Sequence, residues 1–439
     1  MTYIRIKDAK GGYDLPNMDK EDAHRLMQEQ FFISGSLDSV KFKDVHAKGF
    51  IIDERGFIQL QIRPSNSRDN PGQIDSSWGS HLCAGDTIIT SAMYQSAREL
   101  GIATTVLSDE FFYSMLENHP EITEELAVTR QIANLRNFRS ERRLQDGRIW
   151  SEPCELSVFI SYFNGKFKPV IENGAGIRYY DIEMLKREIS RDPRSFTYDL
   201  KDLVERYSHL LIRYKDLPDF NPNPDSRTNE LLQQFDSRGN PLEAISRSEA
   251  HDKLIEASHN GTQAKAKHKH VRVMLRRPDG TWYLQQRADT KKENYGLKDK
   301  PIGGHVGLGD TYDSAVIHEC NGELAIPAAV LPEEDLAAII KHRPEILDHQ
   351  AVLTRVAVLE NHTSRGRTLK GAKPWDEVGD SAIYLGWYNG PITFKDGESS
   401  GVEVKSTAEL KAGLRDHPEE FTKDLTDLLK LFEERGLVD

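Results

Sequence analysis

The amino-acid sequence predicts an α/β protein, α+β in its layering, made of two copies of one domain. Length is the first reason: 439 residues exceed one ordinary core and fit two domains of about 200 residues each. An internal repeat is the second. Ser80-His-Leu-Cys-Ala-Gly-Asp-Thr87 returns as Gly304-His-Val-Gly-Leu-Gly-Asp-Thr311, an offset of 224 (304 less 80), which also pairs His46 with His270 and Glu99 with Glu323. Further along the offset becomes 225 (375 less 150), pairing Trp150 with Trp375, Glu152 with Glu377 and Glu155 with Asp380. The third reason is that strand-like and helix-like segments interleave in both copies.

Each copy starts with a segment that carries a matched pair of words, Lys20-Glu-Asp-Ala-His24 and Arg247-Ser-Glu-Ala-His251. A strand follows, Lys48–Ile52 or Val271–Leu275, then a turn, Asp53-Glu-Arg-Gly56 or Pro278-Asp-Gly280. The next strand is Phe57–Ile62 or Trp282–Gln286, after which come a long loop, the Gly-Asp-Thr element and a helix of about ten residues. Later strands are expected at Leu156–Ser161 and Ala382–Gly386, and amphipathic helices at Leu200–Leu211 and Leu425–Leu437. The tails repeat as Phe196-Thr197-Tyr-Asp-Leu200 and Phe421-Thr422-Lys-Asp-Leu425. Asp216-Leu-Pro-Asp-Phe-Asn-Pro-Asn-Pro-Asp225 suits neither helix nor sheet, so the expected division is 1–215, a linker 216–232, and 233–439.

Composition narrows the function classes. Charged residues at 29% and hydrophobic ones at 38% are ordinary for a globular protein. No apolar run reaches the roughly 18–20 residues of a membrane helix, and the polar N-terminus lacks the apolar core of a signal peptide. Cys83, Cys154 and Cys320 include no CxxC pair, which points away from disulfides and zinc thiolates and toward a cytoplasmic setting. A net charge of −12 argues against broad coating of nucleic acid or anionic membrane.

The second copy resembles the Nudix superfamily, whose box reads G-x5-E-x7-R-E-U-x-E-E-x-G-U with U apolar. The frame here is Gly304, Asp310, His318, Glu319, Cys320, Gly322, Glu323, Ala325 and Ile326, and in the first copy Ser80, Asp86, Tyr94, Gln95, Arg98, Glu99, Gly101 and Ile102. Within that superfamily the sequence is most similar to type I isopentenyl diphosphate isomerase and the hydrolases related to it. The phrases that carry the similarity are Gly304–Leu324, Gln286–Leu297, and Asp236-Ser-Arg-Gly-Asn-Pro with Ser246–His251. It covers most of both halves apart from the linker and a stretch near 103–125 that reads as an insertion. The resemblance implies two tandem Nudix folds, each a mixed sheet between helices.

It also implies a metal held by three imidazoles and two carboxylates. The matching positions are His251, His270 (or His268), His305, Glu377 and Asp380 in copy two, and His24, His46, His81, Glu152 and Glu155 in copy one. Imidazole with carboxylate suits Zn²⁺, Mn²⁺ or Fe²⁺ better than Mg²⁺. Glu319 and Glu323, four apart on one helix face, form a second candidate site, for Mg²⁺ or Mn²⁺ against a diphosphate; copy one keeps only Glu99, since Gln95 replaces its partner. The Gly-rich loop before the helix would let backbone N–H groups approach phosphate. A basic loop is expected before the late strand, with Arg136, Arg139, Arg142, Arg143 and Arg148, or Arg365, Arg367, Lys370 and Lys373. The isomerases carry a cysteine two residues before the box histidine; here Gly79 and Gly303 stand there, so the carbon acid is missing.

The resulting expectation is a metal-dependent hydrolase of a diphosphate-linked small molecule, of nucleoside or isoprenoid type, with Glu319 and Glu323 catalytic in copy two. The alternatives are a tandem module that binds such a ligand without turnover, and isomerase or lyase chemistry at the histidine site.

Overall fold

The computed structural model describes all residues except 1, 11, 13, 168–174, 221–230, 263, 292, 369–372, 394–398 and 439. The chain divides into two compact units, one of Met1–Leu116, Glu121–Asn221 and Ala337–Arg343, the other of Glu117–Pro120, Pro222–Leu336 and Pro344–Asp439. The second half of the expected linker, 221–230, lies outside the described residues.

Both units are mixed sheets flanked by helices, the fold class the sequence predicts. In the first, the sheet path runs Gly176–Tyr180, Ile58–Ile62, Phe42–Ile52, Ile149–Tyr162, Leu126–Arg143, Ala103–Val106. In the second, Trp282–Arg287, His268–Arg276, Trp375–Trp387, Ala351–Arg367 and Ala328–Val330 follow in the same order, with Ser399–Lys405 on the outer side of Trp282–Arg287. Pairing directions agree as well: Phe42–Ile52 runs parallel to Ile149–Tyr162, and His268–Arg276 parallel to Trp375–Trp387. A short strand is added antiparallel to each of these centres, Trp78–His81 in one unit and Ile302–His305 in the other. One topology built twice is the structural form of the repeat.

Two expectations are corrected. The stretch near 103–125 is not an insertion. Its strand Ala103–Val106 and helix Asp109–Asn118 have counterparts in Ala328–Val330 and Glu333–His342. The basic segment is not a loop as far as Arg143 and Arg367, because strands Leu126–Arg143 and Ala351–Arg367 continue through it. Arg148 lies in the turn that follows the first of these strands, and Lys370 falls outside the described residues.

Core packing explains where the sheets sit. Residues of Phe42–Ile52 are buried throughout, as a central strand covered on both faces must be. On one side Ala47, Ile51, Trp78, Ala92 and Phe159 pack together, and Gly49 is required there, since a Cβ would stand 2.1 Å from the Trp78 ring. On the other, Ala23, Met27 and Phe42 pack with Trp150. In the second unit Met274, Trp282, Ile383 and Leu385 meet the C-terminal helix Lys423–Glu434 through Leu425, Leu428 and Phe432.

The repeated Gly-Asp-Thr word is a turn followed by a helix cap. Gly85 and Gly309 adopt φ of +90° and +86°, which favours glycine. Thr87 and Thr311 then cap the helices Ile88–Gln95 and Tyr312–Leu324, each accepting from the backbone N–H three residues on, with Thr90 or Ser314 returning the bond. No described helix is long and apolar enough to cross a membrane.

Candidate functional site

Strand alternation sends residues two apart to one face, so Asp44 and His46 share a face, as do His268 and His270. Antiparallel pairing sets His81 opposite His46 and His305 opposite His270. Parallel pairing brings Glu152 and Glu377 to the same end of the sheet, and the helices Lys20–Ser34 and Arg247–His259 supply His24 and His251.

In the second unit four imidazoles converge on one carboxylate oxygen. Nε2 atoms of His251, His268, His270 and His305 lie 3.2, 3.5, 3.4 and 3.5 Å from Glu377 Oε1. His251 and His305 Nε2 are 3.0 Å apart. The other carboxylate oxygen, Oε2, accepts from the Arg367 guanidinium, which also pairs with Glu293. Glu377 Oε1 and both ring nitrogens of His268 and His270 are buried and make no hydrogen bond among the described residues. Burial holds these imidazoles neutral, at about 4 for His251 and about 3 for His268, with His270 and His305 also well below the ordinary value.

The first unit repeats the arrangement with one exchange. Asp44 stands where the other copy has His268. His46 Nε2 and His81 Nδ1 lie 2.7 and 2.8 Å from Asp44 Oδ2, and His24 Nε2 lies 3.1 Å from Glu152 Oε1 and 3.7 Å from Asp44 Oδ2. Arg142 donates to Glu152 Oε2, as Arg367 does to Glu377. Burial opposes charge on His24, but Glu152 and Asp44 outweigh it and push the pKa up to about 9. Burial likewise opposes charge on Glu152, yet Arg142 and His24 bring it down to about 2.

The structure therefore brings together His24, His46, His81 and Glu152, and His251, His270, His305 and Glu377. It does not bring Glu155 or Asp380 to them. Glu155 Oε2 pairs with Lys7 at 2.8 Å, and Asp380 Oδ1 pairs with Lys267 at 2.8 Å and accepts from the Asn361 backbone. The cause is parity: each lies three residues beyond its partner glutamate on one strand, an odd step that turns the side chain to the opposite face.

The box carboxylates lie behind the strand that carries the third histidine. Glu319 packs on Gly304, where a Cβ would stand 1.9 Å from its Oε1, so the box glycine makes room for it. Burial raises its pKa. Glu99 Oε2 accepts from the Gly79 N–H at 3.4 Å, and burial pushes its pKa up to about 7. Among the described residues, Glu319, Glu323 and Glu99 join no group of three or more ligand atoms within 4.8 Å of one another.

Sequence reasoning missed Asp44 altogether and held His268 only as an alternative. It also read as mere tails the residues of a buried network present in both units. Lys48 Nζ meets Asp75 at 2.9 Å and Asp199 at 3.0 Å; Thr197 and Ser140 donate to Asp75 and Asp199 at 3.1 and 3.0 Å. In the second unit Arg272 and Lys300 reach Asp424 at 3.3 Å each, and Thr422 and Ser364 donate to Asp299 and Asp424 at 2.6 and 2.8 Å. The signal was available, since Thr197, Asp199, Thr422 and Asp424 lie in the repeated tails.

A cavity of about 490 Å³ opens on the first cluster, lined by His24, His46, His81, Gln95 and Glu99 and by six cations, Lys20, Lys48, Arg63, Arg68, Arg98 and Arg142. Beside the second cluster the described residues leave about 70 Å³. Lys300 helps to close it: a Cβ on Gly303 would meet Lys300 Cε at 2.7 Å, whereas the position that matches Lys300 in the first copy is Ser76.

No family model matches this chain, and no curated protein matches it significantly. Among solved structures it is similar to the DR0079 protein of Deinococcus radiodurans, at 18% identity over 46% of this chain and 98% of that one, with a TM-score of 0.32. It is similar to the Nudix domain of Shewanella oneidensis NrtR, crystallised with ADP ribose, at 12% identity over 44% and 99%, TM-score 0.26. The dihydroneopterin triphosphate pyrophosphohydrolase of Escherichia coli follows at 14% identity over 38% and 92%, TM-score 0.23.

Proposed function

We propose that the protein is a metal-dependent hydrolase of small-molecule diphosphates, and that the first unit houses the substrate. The observation that carries this reading is the pairing of a buried imidazole–carboxylate cluster with an adjoining cation-lined cavity.

The residues fit a divalent ion. Metal bonds of about 2.0–2.1 Å imply ligand-to-ligand separations of about 3.3 Å in a tetrahedral shell, and Glu377 Oε1 stands 3.2–3.5 Å from its four imidazole nitrogens. Orphaned buried acceptors in that set point the same way. His251, His268, His305 and Glu377 would hold one ion, with His270 beside them, and His24, Asp44 and His81 would contribute to another, with His46 and Glu152 beside them. Zn²⁺, Mn²⁺ or Fe²⁺ suit such ligands. A bound ion supplies positive charge to a phosphoryl oxygen.

Hydrolysis adds water across one bridging P–O bond. The water oxygen becomes bonded to phosphorus, the bridging oxygen leaves with its electron pair, and the two protons end on the phosphate products or the medium. Lys20 and Arg98, which have no carboxylate partner within 4.0 Å among the described residues, would offset the phosphate charge. Glu99 lines the same cavity, and at about 7 its carboxyl group is partly ionised near neutral pH, the state in which it can take a proton from water. This placement differs from the expectation that Glu319 and Glu323 act in copy two, because the described cavity beside the second cluster is far smaller.

The incomplete boxes, with Gln95 and Gly322 at carboxylate positions of the pattern, favour a second reading as a ligand-binding module. Phosphate release from a panel of diphosphates, with Mg²⁺, Mn²⁺ or Zn²⁺, separates the two. Glu99→Gln and Glu152→Gln should each lower turnover by about a hundredfold or more, and Glu323→Gln should change it little. A large loss only at Glu323 would move catalysis to the second unit. No release from any compound, with tight binding of one, would establish the binding module instead.

A further inference from the structure

Two ligand groups among the described residues of the first unit meet at Asp44. One is His24, Asp44 and His81; the other is Asp44, His46 and Cys154, whose ligand atoms all lie within 4.8 Å of one another. Strand register builds the second group. Asp44 and His46 are two apart on Phe42–Ile52 and share a face, and parallel pairing sets Cys154 of Ile149–Tyr162 beside Asp44. All three are buried. No CxxC pair announces this thiol; the sheet, not local spacing, brings it to the imidazole.

The second copy shows that the two paired positions change together. Its matching residues are His268 and Gly379 (379 less 154 is the offset of 225 found for their neighbours), and they too pair across parallel strands. A Cβ on Gly379 would stand 2.3 Å from the His270 ring, so that position holds no side chain. Where the second copy has an imidazole and a glycine, the first has a carboxylate and a thiol.

Asp44 also has an oxygen to spare. Its Oδ2 lies 2.7 Å from His46 Nε2 and 2.8 Å from His81 Nδ1, whereas Oδ1 is buried and makes no hydrogen bond among the described residues. A buried carboxylate oxygen is costly unless a donor or a cation meets it. A gap that admits no water still admits a divalent ion, because metal bonds of about 2.0–2.3 Å are shorter than hydrogen bonds.

We infer that Asp44, His46 and Cys154 form a thiolate-ligated site for a divalent ion of the zinc class, which shares Asp44 with the group of His24 and His81. As the sulfur–metal bond forms, the thiol proton leaves to the medium. Carboxylate and thiolate then cancel the two charges of the ion, as a buried site requires. Sulfur favours Zn²⁺ over Mg²⁺ or Mn²⁺. The inference rests on the reading that the first unit holds metal, and adds a site and a ligand to it.

The test loads the full-length chain with Co²⁺ or Zn²⁺ after treatment with a chelator. With Co²⁺, a thiolate-to-metal charge-transfer band should appear in the near ultraviolet. Cys154→Ser should lose it, and Cys83→Ser combined with Cys320→Ser should keep it. The second unit's group of His251, His268, His305 and Glu377 contains no sulfur, so the band reports on the first unit. With Zn²⁺, X-ray absorption of the unaltered chain should show sulfur at about 2.3 Å, a readout that needs no variant. If Cys154→Ser fails to fold, Asp44→His with Cys154→Gly takes its place, since the other unit carries that pair; it should bind Co²⁺ without the band. A band that persists without Cys154 overturns the inference. Metal bound through nitrogen and oxygen alone, in an amount that Asp44→Ala reduces, also overturns it and leaves the first unit's ion standing. An amount that Asp44→Ala does not change overturns both.

Discussion

His24 offers a quantitative check on the first cluster, because its charge is tied to folding. Its pKa is about 9 in the folded chain, against 6.5 ordinarily. A raised folded pKa means that the native state binds the proton more tightly, so the stabilisation is full below 6.5 and is lost as pH rises through 9. The shift of about 2.5 units corresponds to roughly 3 kcal/mol at pH 6, falling to about 2 kcal/mol at pH 7.5 and to a few tenths at pH 9.5. His24→Asn keeps polarity and removes the titration. Urea unfolding of both proteins in the presence of a chelator, fitted to separate transitions for the two units, reads the difference. The gap between wild type and variant should shrink from pH 6 to pH 9.5. With Mn²⁺ or Zn²⁺ present it should instead widen with pH, because the ion competes with the proton for the same nitrogen. A gap that is flat or rising with pH in chelator would mean that His24 is not held as an imidazolium between Asp44 and Glu152, and the electrostatic account of the first cluster would be wrong.

Three further outcomes follow from the geometry. Gly49→Ala should destabilise the first unit by about 1–3 kcal/mol or more, since its Cβ would stand 2.1 Å from the buried Trp78 ring; urea unfolding with no loss of stability would show that the strand can shift. Thr311→Ala should cost about 1 kcal/mol by removing the cap of Tyr312–Leu324, and Thr311→Ser should restore most of it, both read as thermal midpoints. Zn²⁺ at about a hundred times its dissociation constant should stabilise the second unit by about 2.7 kcal/mol, and Glu377→Gln should abolish most of that gain; an equal gain in the variant would remove Glu377 from the ligand set.

The fold was legible because the chain states it twice. Words such as Gly-Asp-Thr recur in register, and each carries its own local instruction, a left-handed glycine followed by a threonine cap. The histidines were legible for the same reason. Part of what escaped is what the repeat does not duplicate. Asp44 was hidden because its counterpart is His268, so comparing the copies marks the position as variable rather than as a site. Glu155 and Asp380 were misplaced by the opposite error: both recur, but for a lysine partner on the far face of the strand. The cavity could not be read at all, because its size depends on how far side chains such as Lys300 reach across the site.

Those two exchanges, Asp44 for His268 and Ser76 for Lys300, give one scaffold two electrostatic settings. In the first unit a second buried carboxylate faces the imidazoles, so without an ion the cluster is balanced by a proton on His24. In the second, Glu377 faces four imidazoles with Arg367 beside it, Glu293 reaches His251 at 3.8 Å, and burial keeps the rings neutral. A neutral imidazole presents a lone pair to an incoming ion, whereas an imidazolium must first lose its proton. On the proposed reading, the second set would take up metal without losing a proton, and the first would exchange a proton for it. Lys300 adds to the contrast, since an ammonium between Asp299 and Asp424 occupies room that the serine in the other copy leaves open. Under the proposed function, the same ligand positions with different charge and volume around them would give metal holding to the second unit and substrate access to the first.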